Sequence, residues 1–213
     1  MGCGSSQPKI SSQETTESIG GVLGGVNKPS YKEIHSACRW NTKTLDELRI
    51  ILRAPGAVTS VDESNGNTPL HIAAQNGHDE IVDLIISTGG KTVLNVQNLS
   101  GNTPLHMAIE YDYYGSAKAL INAGADENIS NQQDYPAKKG IEGLKHYLYL
   151  PLFAATSEAE ILNSLEECEK KADELEKSSF AGLALKLKKN LSPEIWTEEC
   201  KTKFKLVLKA IPS

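Results

Sequence analysis

Apolar residues recur three and four positions apart along much of the chain from residue 31 onward, the spacing of one helix face. Leu45, Leu48, Ile50, Ile51 and Leu52 mark the apolar face of an early helix, and Asp79 to Ser87 predicts another. Near the C-terminus Ile161, Leu165, Cys168, Ala172 and Leu175 are spaced 4, 3, 4, 3. The opposite face of that stripe carries Glu158, Glu166, Glu167, Glu169, Lys170 and Lys171. Ser157 and Glu160 form a capping box that opens this helix. Leu183 and Leu187 share one face of a helix over roughly Phe180 to Lys189, and Trp196, Cys200, Phe204, Val207, Leu208 and Ile211 line a last one. Ser192-Pro193-Glu194 supplies that helix with an N-cap serine and an N1 proline. Three short amphipathic helices cannot bury their stripes alone. They pack on one another and on the preceding region, or they form a partner-binding surface.

One stretch occurs twice. Gly66-Asn67-Thr68-Pro69-Leu70-His71 returns as Gly101-Asn102-Thr103-Pro104-Leu105-His106, a step of 35 residues. Ala73 to Val82 is echoed more loosely by Ala108-Ile109 and Ala117 to Ile121. Self-similarity at such a step is the signature of a stacked repeat. Gly66 and Gly101 stand where a tight turn needs positive φ. Thr68 and Thr103 are placed as N-caps, and Pro69 and Pro104 as first helical residues whose missing N–H costs nothing.

At these residues the chain resembles the ankyrin-repeat family. The resemblance implies an all-α solenoid, a stack of repeats with β-hairpin loops, over residues 31–150, followed by a small helical region over 151–213. It also implies that His71 and His106 are structural, bonding backbone near the turn, and no Cys or carboxylate recurs with them at metal-ligand spacing. A cryptic first unit aligns Ile34-His35-Ser36-Ala37 with Leu70-His71-Ile72-Ala73, and Asn41 falls at the left-handed position held by Gly77. The second unit runs from about 65 to 97, and two extra residues near Gly89-Gly90-Lys91-Thr92 read as a solvated loop insertion. The third runs from 100 to about 130, with Asp112 in place of the helix-ending glycine. A fourth, at Tyr135-Pro136-Ala137, is interrupted by Gly140 and Gly143 and reads as a half-formed cap.

Composition narrows the setting. The 213 residues carry a net charge of −5 and a pI near 5.6, which argues against nucleic acid as the main partner. Cys3, Cys38, Cys168 and Cys200 are scattered with no C-x-x-C, as expected in a reducing compartment. No apolar run approaches the ~20 residues that span a bilayer, and there is no signal-peptide core. The last stretch is locally basic: Lys186, Lys188, Lys189, Lys201, Lys203, Lys205 and Lys209 against Glu194, Glu198 and Glu199 leave a net +4.

Met1-Gly2-Cys3-Gly4-Ser5-Ser6 fits the N-myristoylation pattern, with Gly2 as acceptor and Ser6 at the required place. One myristoyl chain binds membranes only marginally, so a second signal is needed, and Cys3 is placed for palmitoylation. Residues 1–30 are therefore expected to tether the folded region to a cytosolic membrane face.

The pattern contains no nucleophile elbow, metal cluster or paired carboxylates, and no cofactor is expected. The function expected is a non-enzymatic adaptor that recruits a protein partner on the concave face of the stack. The alternative is a soluble regulatory or structural protein whose C-terminal helices bind while the repeats act as spacer. Alignment on the repeated histidines puts Arg39, Gln75 and Glu110 in one exposed column and Trp40, Asn76 and Tyr111 in the next. Asn67 and Asn102 are expected at hairpin tips, with Tyr113 and Tyr114 just beyond the third unit's first helix.

Overall fold

The computed structural model describes residues 30–212, which form ten α-helices and no strand among the described residues. The acylation motif and nearly all of the tether lie outside the described residues. Three helix pairs come first: α1 (Tyr31–Trp40) with α2 (Leu45–Leu52), α3 (Pro69–Asn76) with α4 (Asp79–Gly89), and α5 (Pro104–Glu110) with α6 (Tyr114–Asn122). The first helices pack in a row, α1 on α3 and α3 on α5, and the second helices pack behind them, α2 on α4 and α4 on α6.

Local chemistry sets each pair. The Thr68 and Thr103 hydroxyls cap α3 and α5 by accepting the backbone N–H of His71 and His106, and a proline starts each helix. Asn41 (φ 49°), Gly77 (φ 67°) and Asp112 (φ 61°) take the left-handed conformation at equivalent places in the three units. The sequence alignment of those three turns is therefore correct. Leu70 and Leu105 are fully buried in one core that runs from Ile34 to Leu150.

Successive turns before the first helices are stitched together edge to edge. The Leu99 N–H donates to Asn65 O (2.9 Å) and the Gln132 N–H to Ser100 O (3.1 Å). A Cβ on Gly66 would stand 2.8 Å from Leu99 N, and one on Gly101 2.8 Å from Gln132 N. Glycine is required there for this close approach as well as for its positive φ.

The insertion is solvated at Lys91 and Thr92, as expected, but it is helical rather than a loop. Helix α4 continues through Gly89, a 3₁₀ turn over Gly90–Val93 follows, and Val93 and Leu94 just beyond the insertion are buried in the core. Those two branched apolar side chains supply the reason. Ile50 is also corrected: it is exposed, because α2 buries only Leu48 and Leu52 fully. The fourth unit is a turn bridged at Ser130 and Pro136, one 3₁₀ turn over Ala137–Lys139, and no helix pair.

The C-terminal region builds a second core. Helices α7 (Leu150–Ala154), α8 (Glu158–Lys170), α9 (Lys177–Asn190) and α10 (Glu198–Ala210) bury Leu152, Ile161, Leu165, Phe180, Leu187 and Val207 against each other. Phe180 stacks on Phe204 with centroids 4.5 Å apart, and Trp196 meets Phe204 edge-on. The stripes expected from the sequence are thus consumed internally. Two boundaries differ from expectation. Helix α8 stops at Lys170, and Ala172 and Leu175 stay buried through a 3₁₀ turn. Helix α10 starts at Glu198 with Thr197 as N-cap, because Ser192 to Trp196 makes one separate turn that seats Trp196. Tyr147 packs partly against both cores, and Lys138 pairs with Glu174 (2.8 Å) across the junction.

Candidate partner-binding face

Three first helices end one above another, and their ends carry the exposed large side chains. Arg39 and Trp40 close α1; Trp40 is 68% exposed. Gln75 closes α3 beside Asn76, and Tyr111, 47% exposed, follows α5. Gln75 Nε2 donates to the Tyr111 hydroxyl at 3.4 Å, which ties the second and third units at the surface. The imidazole of His78 bonds Arg39 O at 2.9 Å, so the α1 terminus that presents Trp40 is fixed to the second unit.

Other expected site residues have structural partners. Asn67 and Asn102 are buried, which corrects their placement at exposed tips: Asn67 Oδ1 accepts from Asn98 Nδ2 and Asn102 Oδ1 from Asn131 Nδ2, each at 2.8 Å. These amide pairs are a side-chain ladder between units. A buried carboxamide is costly unless its groups are bonded, so a polar residue at this place need not mean a binding site. Glu110 is half-buried, and its carboxylate accepts the N–H groups of Ile141 (2.8 Å) and Glu142 (3.2 Å). It holds the segment after the third hairpin. Asn76 Nδ2 donates to Ile72 O in its own helix. Tyr113 lies across Gly77, where an added Cβ would come within 2.3 Å of its ring. Tyr114 begins α6 and packs partly on the core under Lys118, away from the α1–α3–α5 row. Of the ten expected residues the structure brings Arg39, Trp40 and Tyr111, all exposed, and the half-buried Gln75 to one row, with Asn76 and Tyr113 at its edge.

One residue missed by the alignment is Leu99, 61% exposed at a hairpin tip. Its signal was available, since the equivalent residue 35 positions earlier is the polar Ser64. At the first-unit end a groove of about 370 Å³ is lined by Tyr31, Lys32, His35, Arg39, Trp40 and Asp62. At the far end a cleft of about 320 Å³ lies between Glu110, Asp112 and Lys145 on one side and Tyr149, Ser179 and Lys186 on the other. Lys145 pairs with Asp112 at 2.6 Å there.

The two repeated histidines are held by structural bonds. His71 Nδ1 accepts the Thr68 N–H (3.2 Å) while Nε2 bonds Asn102 O (2.8 Å) in the next unit. His106 repeats this with Thr103 (3.0 Å) and Tyr135 O (3.0 Å). Both are structural, as the resemblance implied, and their reach is one unit further. Burial holds His71 down to about 4, opposed by the bond to Asn102, and burial pushes the Cys38 and Cys168 thiols up to about 12. Among the described residues no group of three or more His, Cys, Asp or Glu is placed to hold a metal.

Residues 34–131 match the family model for ankyrin repeats, in 3 copies. An ankyrin repeat-containing protein of Schizosaccharomyces pombe is 47% identical over 96 residues. That similarity covers 45% of this chain and 64% of the relative, so the chain spans less than two thirds of that protein's length. The helix pairs, capped threonines and stitched hairpins over this span are ankyrin repeats, and ankyrin repeats point to protein–protein interaction.

Proposed function

We propose that this chain is a non-enzymatic adaptor whose ankyrin stack recruits a protein partner on its concave side, while acyl groups on Gly2 and Cys3 hold it on a cytosolic membrane face. The observation that carries the binding half is the pair of exposed aromatic side chains, Trp40 and Tyr111, at the ends of first helices two units apart. Trp, Tyr and Arg are the residues that most often dominate interface energetics, and a rigid row of them binds at little entropic cost. The spacer reading has less to stand on, since the C-terminal helices spend their apolar stripes on their own core.

The test uses full-length protein to capture a partner, identified by mass spectrometry, and then compares variants by affinity and melting. Trp40→Ala and Tyr111→Ala are each expected to weaken that partner by about 10-fold or more, a hot-spot effect, with the melting temperature unchanged. A lowered melt with binding intact would make both rings structural.

The anchor rests on the sequence motif and on the two-signal rule for stable attachment. In eukaryotic cells the wild type is expected to sediment with membranes. Gly2→Ala should release it to the soluble fraction, and Cys3→Ser should leave weak, reversible attachment. A wild type that is wholly soluble refutes the anchor.

A further inference from the structure

The second core has a polarised surface. Between α8 and α10 lies a groove of about 470 Å³ with Leu162 and Leu206 beside Glu166, Glu198 and Glu199, and with Lys203, which is paired with Glu169. Between α9 and α10, on the other flank of α10, lies one of about 390 Å³ whose floor is Ala181, Ala184, Phe204 and Leu208 and whose rim is Lys188, Lys201 and Lys205. Lys201 is paired with Glu198 at 2.6 Å, whereas Lys188 and Lys205 are in no ion pair with a described residue. Helical spacing sets Leu185 one turn before Lys188 and Lys189, and Lys209 one turn after Lys205. Leu185 is 76% exposed, the most exposed large apolar side chain among the described residues.

We propose that this α9–α10 face docks on the surface of an anionic lipid bilayer, with lysine ammonium groups at the headgroups and Leu185 entering the interface. An exposed leucine among lysines is costly in water and ordinary at a bilayer surface, where apolar burial and attraction to anionic lipid add. Lys188 and Lys205 line the apolar groove and are exposed, a setting in which alkyl stems cover apolar surface while the charges stay in water. Glu198 stands between the two grooves beside Lys201 and Lys205, while Glu166 and Glu199 line only the groove on the other flank of α10, so the surplus of lysine on the α9–α10 side also favours one orientation. The proposal draws its cellular setting from the membrane-tether reading but requires no acyl group.

The test therefore uses the unacylated full chain, produced in bacteria, and sedimentation with two vesicle types: phosphatidylcholine alone, and phosphatidylcholine with about a third phosphatidylserine. Each lysine near an anionic surface is worth about fivefold in partition, so Lys188→Glu with Lys205→Glu is expected to lower binding to the anionic vesicles at least about 25-fold. Lys32→Glu with Lys91→Glu carries the same change in net charge on the repeat stack and is expected to leave binding within about twofold. Leu185→Ser should lower it by a smaller factor, and high salt should abolish it. Equal binding to both vesicle types, no binding, or equal loss in the two double variants would overturn the proposal. Self-association in place of vesicle binding, seen by sedimentation velocity, would assign the groove to a second copy and overturn it equally. Failure here leaves the acyl anchor standing, because Gly2→Ala in cells tests that separately.

Discussion

Lowering the pH from about 7 to about 5 is expected to remove several kcal/mol of stability, most of it below pH 6.5, where an unfolded histidine begins to take up a proton. Burial holds His71 and His146 down to about 4 in the fold. Desolvation is the cause in both, and the bond of His71 to Asn102 opposes it. The His71 Nδ1 accepts from the Thr68 N–H, so a proton there would set donor against donor, and Nε2 is already used by Asn102 O. His146 Nδ1 likewise accepts the Leu148 N–H at 3.3 Å. Between the folded value and the unfolded 6.5 the unfolded chain binds these protons and the native chain does not, so stability falls as pH falls. Each of the two histidines accounts for about 3 kcal/mol by pH 4, against a total stability of about 5–15 kcal/mol for an ordinary protein. His106 and His35 are shifted in the same direction by burial. The lowered carboxyl groups, Glu47, Asp62, Glu174, Glu176 and Glu198, are exposed or half-buried and lose their contribution only at more acid pH. Urea unfolding at a series of pH values checks this: the midpoint should fall steadily from pH 6.5 downward. A midpoint that is flat to pH 5 would show that these imidazoles accept protons in place.

Those same histidines show what was legible in the sequence. A six-residue string repeated at a step of 35 carries its own structural chemistry, because turn, cap and first helical turn are all local. Thr68, Pro69 and Gly77 act within a few residues of themselves, and all three were read correctly. What Asn67 and Asn102 do is not local. Their amides bond the corner of the next unit, some 30 residues along the chain, and an exposed tip and a buried ladder call for the same residue type. Glu110 misled for the same reason, since its acceptors' partners lie 31 and 32 residues away. Trp40 is the opposite case: nothing in the described residues covers it, and its place at the end of α1 before a left-handed Asn41 leaves it in solvent. Helix stops in the second core were obscured by a stripe that stays in phase through the break at Lys170, because a 3₁₀ turn returns Ala172 and Leu175 to the same side. Hydrophobic spacing reports which side chains are buried more faithfully than it reports where a helix ends.

Leu105→Ala is expected to cost about 2–5 kcal/mol, a fall of roughly 5–20 °C in melting temperature for a protein of this size. Leu105 has no exposed surface and lies in the core that joins the third unit to the second. Removing it subtracts buried apolar area and leaves a cavity that two capped, stitched units cannot close. Because each unit leans only on its neighbours, loss of the third also withdraws support from α4 and from α7, which rests on α6. The two tryptophans separate these consequences. Trp196 is buried against Phe204 in the second core and changes emission when that core opens, while Trp40 is already in water and changes little. If the cores unfold together, helicity and Trp196 emission should shift by the same number of degrees in Leu105→Ala. If the second core stands alone, helicity should melt early and Trp196 late. Leu185→Ala, at an exposed site, should leave both curves where they were. A melt that hardly moves in Leu105→Ala would mean the residue is not the inter-unit contact that its burial indicates, and the packing of the third unit would have to be redrawn.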